Sequence, residues 1–220
     1  MIYQIQLNTW MLSTHSSTTS KMHKIITTFL LAAILICSGC GKPKISTISE
    51  TSVIVAFGDS LTHGTGANNN ESYPAVLSGL LNREVINAGV PGEDTTDGLI
   101  RLPSVLEQHQ PTLVILCHGG NDILQKQDAQ TTIKNINAMI DIIQDCDADV
   151  ILVGVPKPAL ILKTAKFYKN IAKQQKIPYQ GKVVAEVLST PSLKSDHAHP
   201  NEDGYQQVAE AILTLINNSQ

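Results

Sequence analysis

Short apolar runs alternate along this chain with longer segments whose apolar residues recur at helical spacing. The runs are rich in Val and Ile and lack in-out alternation, which is typical of strands buried on both faces. Strands are predicted at residues 53–57, 85–87, 113–117 and 150–155, with 182–184 as a candidate for a fifth. Helices are predicted at residues 73–82, 95–109, 128–146 and 159–175, and a last one from about Gly204. The alternation predicts a three-layer α/β/α fold around a mainly parallel five-stranded sheet.

The first 51 residues are interpreted as lying outside this fold. Residues 1–20 contain no Lys, Arg, Asp or Glu and are rich in Ser and Thr, so residues 1–21 are predicted to be a disordered or untranslated extension. Residues 22–39 have the pattern of a signal peptide, with Lys24 before an apolar run at 25–37 that is short for a bilayer span. Residues 40–51 are predicted to tether a single folded domain at 52–220.

The end of the signal-like segment, Ser38-Gly39-Cys40, resembles a bacterial lipobox. This resemblance implies that Cys40 is lipidated and anchors the protein to the periplasmic face of a bacterial membrane. Cys37 stands where lipoproteins usually have Leu, so two alternatives stay open. They are ordinary cleavage, which would give a soluble periplasmic protein, and an uncleaved anchor.

Charge and cysteine content limit the binding partners and the disulfide bonds that we expect. The formal net charge is -3, which provides no broad basic surface, so nucleic acid is not an expected partner. We expect a monomer that needs no cofactor. Cys117 and Cys146 could pair in an oxidising compartment, but the favoured prediction is that both are buried as small apolar side chains.

Polar and Gly-rich groups follow the predicted strands, where ligands bind in open parallel sheets. Ser60 follows the first strand, and it could be a nucleophile or merely the cap of the next helix. The second strand is followed by Gly89 and Gly92, and the third by Gly-Gly-Asn121, which could provide N–H donors or simple turns.

Near the C-terminus, Asp196 precedes His199 by three residues. In a tight turn this spacing lets the carboxylate orient one ring nitrogen while the other faces a nucleophile. The alternative is that Asp196 caps the turn and that both His197 and His199 are solvated. A metal hydrolase using Asp196, His197, His199 and His118 is a further alternative.

Taken in order, these groups resemble the SGNH (GDSL-type) hydrolase family, from residue 53 to residue 205. The resemblance implies a flavodoxin-like arrangement of the sheet and helices. The resemblance implies that Ser60, Asp196 and His199 form a catalytic triad. It also implies that the N–H groups of Ser60 and Gly92 and the Asn121 amide form an oxyanion hole, with Gly89 as the rival to Gly92.

Two further segments, residues 98–103 and 108–111, resemble the branch that contains bacterial arylesterases and periplasmic thioesterase-lysophospholipases. The resemblance implies a serine ester hydrolase acting on a small-molecule or lipid acyl ester. A carbohydrate acetylesterase and a non-catalytic surface lipoprotein that keeps the fold are the alternatives.

Overall fold

The computed structural model describes residues 42–220, and its centre is a five-stranded parallel sheet in the order β2-β1-β3-β4-β7. The strands are β1 (Ile54–Gly58), β2 (Val85–Gly89), β3 (Leu113–Cys117), β4 (Asp149–Val153) and β7 (Tyr179–Gln180). Every residue of β1 and β3 is buried, as expected for central strands covered on both faces. A small antiparallel pair, β5 (Pro156–Lys157) and β6 (Lys163–Thr164), stands apart from the sheet.

Eight α-helices of the described residues connect or flank these strands. They are α1 (Ser60–His63), α2 (Tyr73–Leu81), α3 (Thr95–His109), α4 (Gly120–Leu124), α5 (Ala129–Asp145), α6 (Lys166–Gln175), α7 (Val183–Ser189) and α8 (Glu202–Ser219). Two groups of helices pack together: α8 contacts α2 and α7, and α5 contacts α3 and α6. The predicted three-layer α/β/α fold is confirmed.

The predicted helices 73–82, 95–109 and 128–146 agree with α2, α3 and α5 within one residue at each end. Side-chain caps explain two of these starts, because Asp94 accepts hydrogen bonds from the first turn of α3 and Asp128 does the same for α5. Asn201 caps α8 in the same way, so that helix begins at Glu202, two residues before Gly204.

Two predictions near the end of the sheet are wrong. The fifth strand is Tyr179–Gln180, whereas Val183 and Val184 belong to α7 and are buried there. Gln180 Oε1 accepts from the N–H groups of Lys182 and Val183, which starts the helix directly after the strand. The helix predicted at 159–175 begins only at Lys166, because the residues before it form the β5–β6 hairpin.

Residues Pro43–Gln220 form one compact unit. Part of the segment predicted to be a tether therefore belongs to it: Ile45 is buried and its N–H donates to the Ser219 carbonyl at 2.8 Å. The predicted extension, signal peptide and lipidated Cys40 lie outside the described residues.

Both cysteines of the domain are free thiols. Cys117 is buried at the end of β3, as predicted. Cys146 is exposed, so that half of the prediction is wrong. It caps the C-terminus of α5, beyond the last buried turn of that helix.

Candidate active site

The carboxyl ends of three neighbouring strands are level with one another. Gly58 at the end of β1 pairs with Gly89 of β2 on one side and with Cys117 of β3 on the other. The loops that follow these strands therefore start side by side, and they carry Ser60, Gly92 and Asn121. Gly58 must be glycine here, because a Cβ atom would lie 2.0 Å from the Cys117 carbonyl oxygen.

Ser60 is the first residue of α1, but it does not cap that helix. Asp59 is the cap, since its Oδ1 accepts from the Leu61 N–H at 3.0 Å. The Ser60 hydroxyl instead lies 3.0 Å from His199 Nε2, across 139 residues of sequence. The interpretation of Ser60 as a simple helix cap is therefore wrong.

His199 is held from its other side by Asp196. Asp196 Oδ2 lies 2.8 Å from His199 Nδ1, while Asp196 Oδ1 accepts from the N–H groups of Ala198 and His199. Partial burial acts to raise the pKa of Asp196, but these hydrogen bonds outweigh it and hold the pKa below its ordinary value. An ionised Asp196 can only accept, so Nδ1 carries the hydrogen and Nε2 presents its lone pair to Ser60.

The neighbouring His197 has a different environment. Its side chain is exposed, and it makes no hydrogen bond with any residue in the range 42–220, although it lies at the edge of the same cavity. The choice of His199 over His197 as the partner of Ser60 thus follows from the turn that Asp196 organises.

The two candidate oxyanion glycines differ in whether their N–H groups are available. The Gly89 N–H donates to Asn87 Oδ1 at 3.0 Å and is thereby occupied. Gly92 follows Pro91 in a turn closed by the Glu93 N–H donating to the Val90 carbonyl, and it has φ 83°. This φ suits the third position of a type II turn, whose N–H takes no part in closing the turn. The Gly92 N–H and the Ser60 N–H make no hydrogen bond within the part of the chain that the structure describes.

Asn121 is the second residue of α4, and Gly119, which precedes that helix as its N-cap, has φ 100°. One hydrogen of its side-chain NH2 is donated to the Glu93 carbonyl at 2.9 Å. The second hydrogen is left for another acceptor. This bond ties the loop after β3 to the loop that carries Gly92.

A buried charged network behind these loops was missed by the sequence analysis. Glu93 accepts from Arg101 through both carboxylate oxygens, at 2.7 and 2.6 Å, and its Oε2 lies 3.1 Å from His118 Nε2. Arg101 also lies over the Phe57 ring, with 4.2 Å from Cζ to the ring centroid. Although burial acts to raise the pKa of Glu93, the bonds from Arg101 and His118 outweigh it and lower the pKa. The only sequence signal was the adjacency of Glu93 to Gly92 and of His118 to Gly119.

His118 itself is fully buried and has both ring nitrogens engaged. The Gly119 N–H donates to its Nδ1 at 3.0 Å, so its Nε2 carries the hydrogen that faces Glu93. The ring also lies against Gly98, where a Cβ atom would come within 2.3 Å of Nε2. His118 is thus part of the support for the loops and is not available as a ligand at the cavity.

Asp59 is fully buried beside Ser60, and burial raises the pKa of its carboxyl group. Its Oδ2 has no hydrogen-bond partner among residues 42–220. This carboxylate is therefore destabilised in its charged form.

A cavity of about 590 Å³ opens over Ser60 and His199. Most of its wall is aliphatic. The apolar lining residues are Leu61, Leu124, Val155, Pro156, Pro158, Ala159, Leu160, Ile161, Leu162, Leu188 and Ala198. The arrangement places the hydrogen-bonded pair of Ser60 and His199 at the floor of an apolar cleft.

Two further features concern metals and membranes. Within residues 42–220, no group of three or more His, Cys, Asp and Glu side chains is arranged to hold a metal ion. In the same part of the chain, no helix has the length and apolar character needed to cross a bilayer.

Comparison with known proteins identifies several relatives. An arylesterase of Vibrio mimicus is 28% identical over 170 residues, which cover 72% of this chain and 85% of the relative. The thioesterase 1/protease 1/lysophospholipase L1 of Escherichia coli K12 is 28% identical over 165 residues, covering 71% and 79%.

Solved structures share the fold. The crystal structure of TesA superposes with a TM-score of 0.69 at 22% identity, covering 77% of this chain and all of that one. The SGNH-hydrolase family esterase AlinE4 superposes with a TM-score of 0.61 at 30% identity, covering 78% and 98%. Residues 56–207 match the GDSL-like lipase/acylhydrolase family, so the chain is a member of that family and an ester-bond hydrolase.

Proposed function

We propose that this protein hydrolyses carboxylic esters or thioesters through an acyl-enzyme formed on Ser60, with His199 as general base and Asp196 as its orienting partner. The observation that carries the proposal is the continuous chain from Asp196 Oδ2 to His199 Nδ1, at 2.8 Å, and from His199 Nε2 to Ser60 Oγ, at 3.0 Å. Membership of a hydrolase family supports the reaction class.

The first half of the reaction forms the acyl-enzyme. Ser60 Oγ attacks the carbonyl carbon while His199 Nε2 takes the hydroxyl proton, and Asp196 stabilises the imidazolium that results. His199 then gives this proton to the leaving alcohol or thiol as the carbonyl re-forms. In the second half, water is deprotonated by His199 and attacks the acyl carbon, which releases the acid and restores Ser60.

The negative charge of each tetrahedral intermediate would be met by three donors, namely the N–H groups of Ser60 and Gly92 and the second hydrogen of the Asn121 amide. All three are free of competing acceptors among the described residues, which supports this assignment. Gly89 is not proposed, because its N–H is already donated to Asn87.

The aliphatic wall of the cavity supports an acyl chain as the group bound beside Ser60. Leu124, Val155 and Leu188 line it, and a hydroxyl-rich sugar would leave its polar groups facing these side chains without partners. We therefore propose aryl or alkyl acyl esters, acyl thioesters or lysophospholipids as substrates in preference to acetylated carbohydrates. A series of p-nitrophenyl esters from acetate to decanoate would test this preference.

The catalytic assignment is tested by Ser60→Ala, with Ser104→Ala as the matched control, since Ser104 is an exposed serine on α3 outside the cavity. We expect Ser60→Ala to lose hydrolysis of p-nitrophenyl butyrate and Ser104→Ala to retain it. An alkyl phosphonate should add one adduct to the wild-type mass and none to Ser60→Ala. Wild-type rates in Ser60→Ala, or loss of activity with EDTA, would contradict the proposal and favour the metal alternative. Absence of any adduct or turnover in wild type would favour a non-catalytic protein.

We also propose that the protein is exported and anchored through Cys40, as a monomer. Support for export and anchoring comes from the sequence alone, namely the apolar run at 25–37 and the segment Ser38-Gly39-Cys40. Incorporation of an alkyne-labelled fatty acid in a bacterial host should occur in wild type and be absent from Cys40→Ser. Equal labelling of both chains would contradict the anchor.

A further inference from the structure

An apolar hairpin tip stands at the mouth of the cavity. Lys157 pairs with Lys163 at the end of the β5–β6 pair, and residues 158–162 form the loop between them. At its tip Leu160 is fully exposed and Ile161 is 70% exposed. Leu162, by contrast, packs against the core and holds the base of the loop in place. The exposed pair is therefore held outward by a defined hairpin.

These side chains are not scattered single residues. The described part of the chain has six exposed large apolar side chains, and three of them line the same cavity: Leu124, Leu160 and Ile161. Such clustering on one side of a site marks a surface that contacts an apolar partner.

The hairpin lies within a strongly basic part of an acidic chain. Residues 150–185 contain seven lysines and neither Asp nor Glu, although the whole chain has a formal net charge of -3. The lysines on the hairpin and after it, Lys157, Lys163, Lys166 and Lys169, are exposed. None of the four forms a salt bridge with a carboxylate in the region that the structure covers.

We propose that the 156–164 hairpin docks the protein onto the surface of an anionic phospholipid bilayer. Leu160 and Ile161 enter the interface. Lys157 and Lys163, which pair at the base of the loop, face the lipid phosphates. The partner is assigned from this pairing, because aliphatic side chains backed by unpaired cations match an apolar layer beneath an anionic surface. Docking at this point turns the cavity mouth toward the lipid.

The contact does not depend on the proposed function, nor on the N-terminal anchor. Ser60→Ala is accordingly expected to bind vesicles as the wild type does, so that failure of docking and failure of catalysis are distinguishable. A probe placed on the hairpin itself reports this contact separately from any contribution of residues 1–41.

The experiment uses the full chain with Trp10→Phe, which removes its one tryptophan. Leu160→Trp places a fluorophore at the tip. Ile100→Trp is the matched control, because Ile100 is 75% exposed on α3 and does not line the cavity. Vesicles of phosphatidylcholine with phosphatidylglycerol should shift the Leu160→Trp emission to the blue, and brominated lipids should quench it. Ile100→Trp should show neither effect.

Two double variants test the apolar and the cationic side chains of the hairpin separately. Because residues 43–220 form one compact unit, partition is measured on a chain that lacks residues 1–41 and the proposed anchor. In that chain, Leu160→Ser combined with Ile161→Ser should lower the vesicle partition coefficient by about tenfold or more, whereas Lys157→Ser combined with Lys163→Ser should remove the preference for anionic vesicles. Circular dichroism should show native helix content in both, since all four side chains are exposed.

Several results would overturn the docking proposal. They are an unshifted Leu160→Trp emission, an equal shift in Ile100→Trp, or equal partition of the chain lacking residues 1–41 to vesicles of phosphatidylcholine alone. A wild-type dimer that Leu160→Ser converts to a monomer, without vesicle binding, would assign the tip to a second copy of the chain instead.

Discussion

The side chain of Asn121 offers the sharpest test of the site, because its two amide hydrogens have separate roles. One is donated to the Glu93 carbonyl at 2.9 Å, and the other is proposed to meet the oxyanion. Replacing Asn121 with Ala removes both. Loss of one oxyanion donor typically costs about 3 kcal/mol of transition-state stabilisation, which corresponds to roughly a 150-fold fall in kcat.

The bond to Glu93 contributes to stability in a different way. A single hydrogen bond is worth about 1 kcal/mol, so the free energy of unfolding should fall by roughly that amount and Tm by about 2–4 °C. Because the apolar wall of the cavity is unchanged by this substitution, KM should change by less than about threefold. The expected pattern is a large loss in kcat with a small loss in stability.

Steady-state hydrolysis of p-nitrophenyl butyrate and thermal unfolding followed by circular dichroism measure the two effects on the same sample. Asn170→Ala, which removes an exposed carboxamide on α6, is the control and should match wild type in both assays. A kcat for Asn121→Ala within about threefold of wild type would refute the oxyanion role. A rise in KM at constant kcat would show instead that Asn121 only binds substrate.

Two further predictions concern the buried groups behind the site. Gly98→Ala should destabilise the fold by about 1–3 kcal/mol in urea titrations, because the added Cβ meets the His118 ring, and His118→Ser in the same chain should recover part of that loss. Additive losses in the double variant would argue against this contact. Burial raises the pKa of Asp59, so its contribution to stability is fully present below the unfolded pKa and is lost as pH rises through the folded pKa. The free energy of unfolding should thus fall with pH above about pH 4 more steeply in wild type than in Asp59→Asn, and parallel pH profiles would show that Asp59 is not the group responsible.

Elements whose apolar residues recur at a regular spacing were predictable from the sequence. Helix α3 combines apolar residues at helical spacing with Asp94 as a cap, and these local signals indicate the helix and place its start. Strand β7 has only two residues, and its existence depends on pairing with β4. The β5–β6 hairpin also depends on a pairing between two-residue strands. Strands of two residues are too short to show a repeating pattern of apolar side chains. The sequence therefore predicted a helix where the hairpin lies, and a fifth strand a few residues after β7.

The sequence by itself determined which groups stand at the sheet edge, because strand ends and turn residues are local features. It left open which glycine has a free N–H, which histidine faces Ser60, and whether Ser60 is only a cap. Tertiary structure decided each of these through contacts between segments far apart in the chain, such as His199 to Ser60 and Asn121 to Glu93. It also introduced the Glu93, Arg101 and His118 network, since buried charges are stable only when the fold brings their partners together.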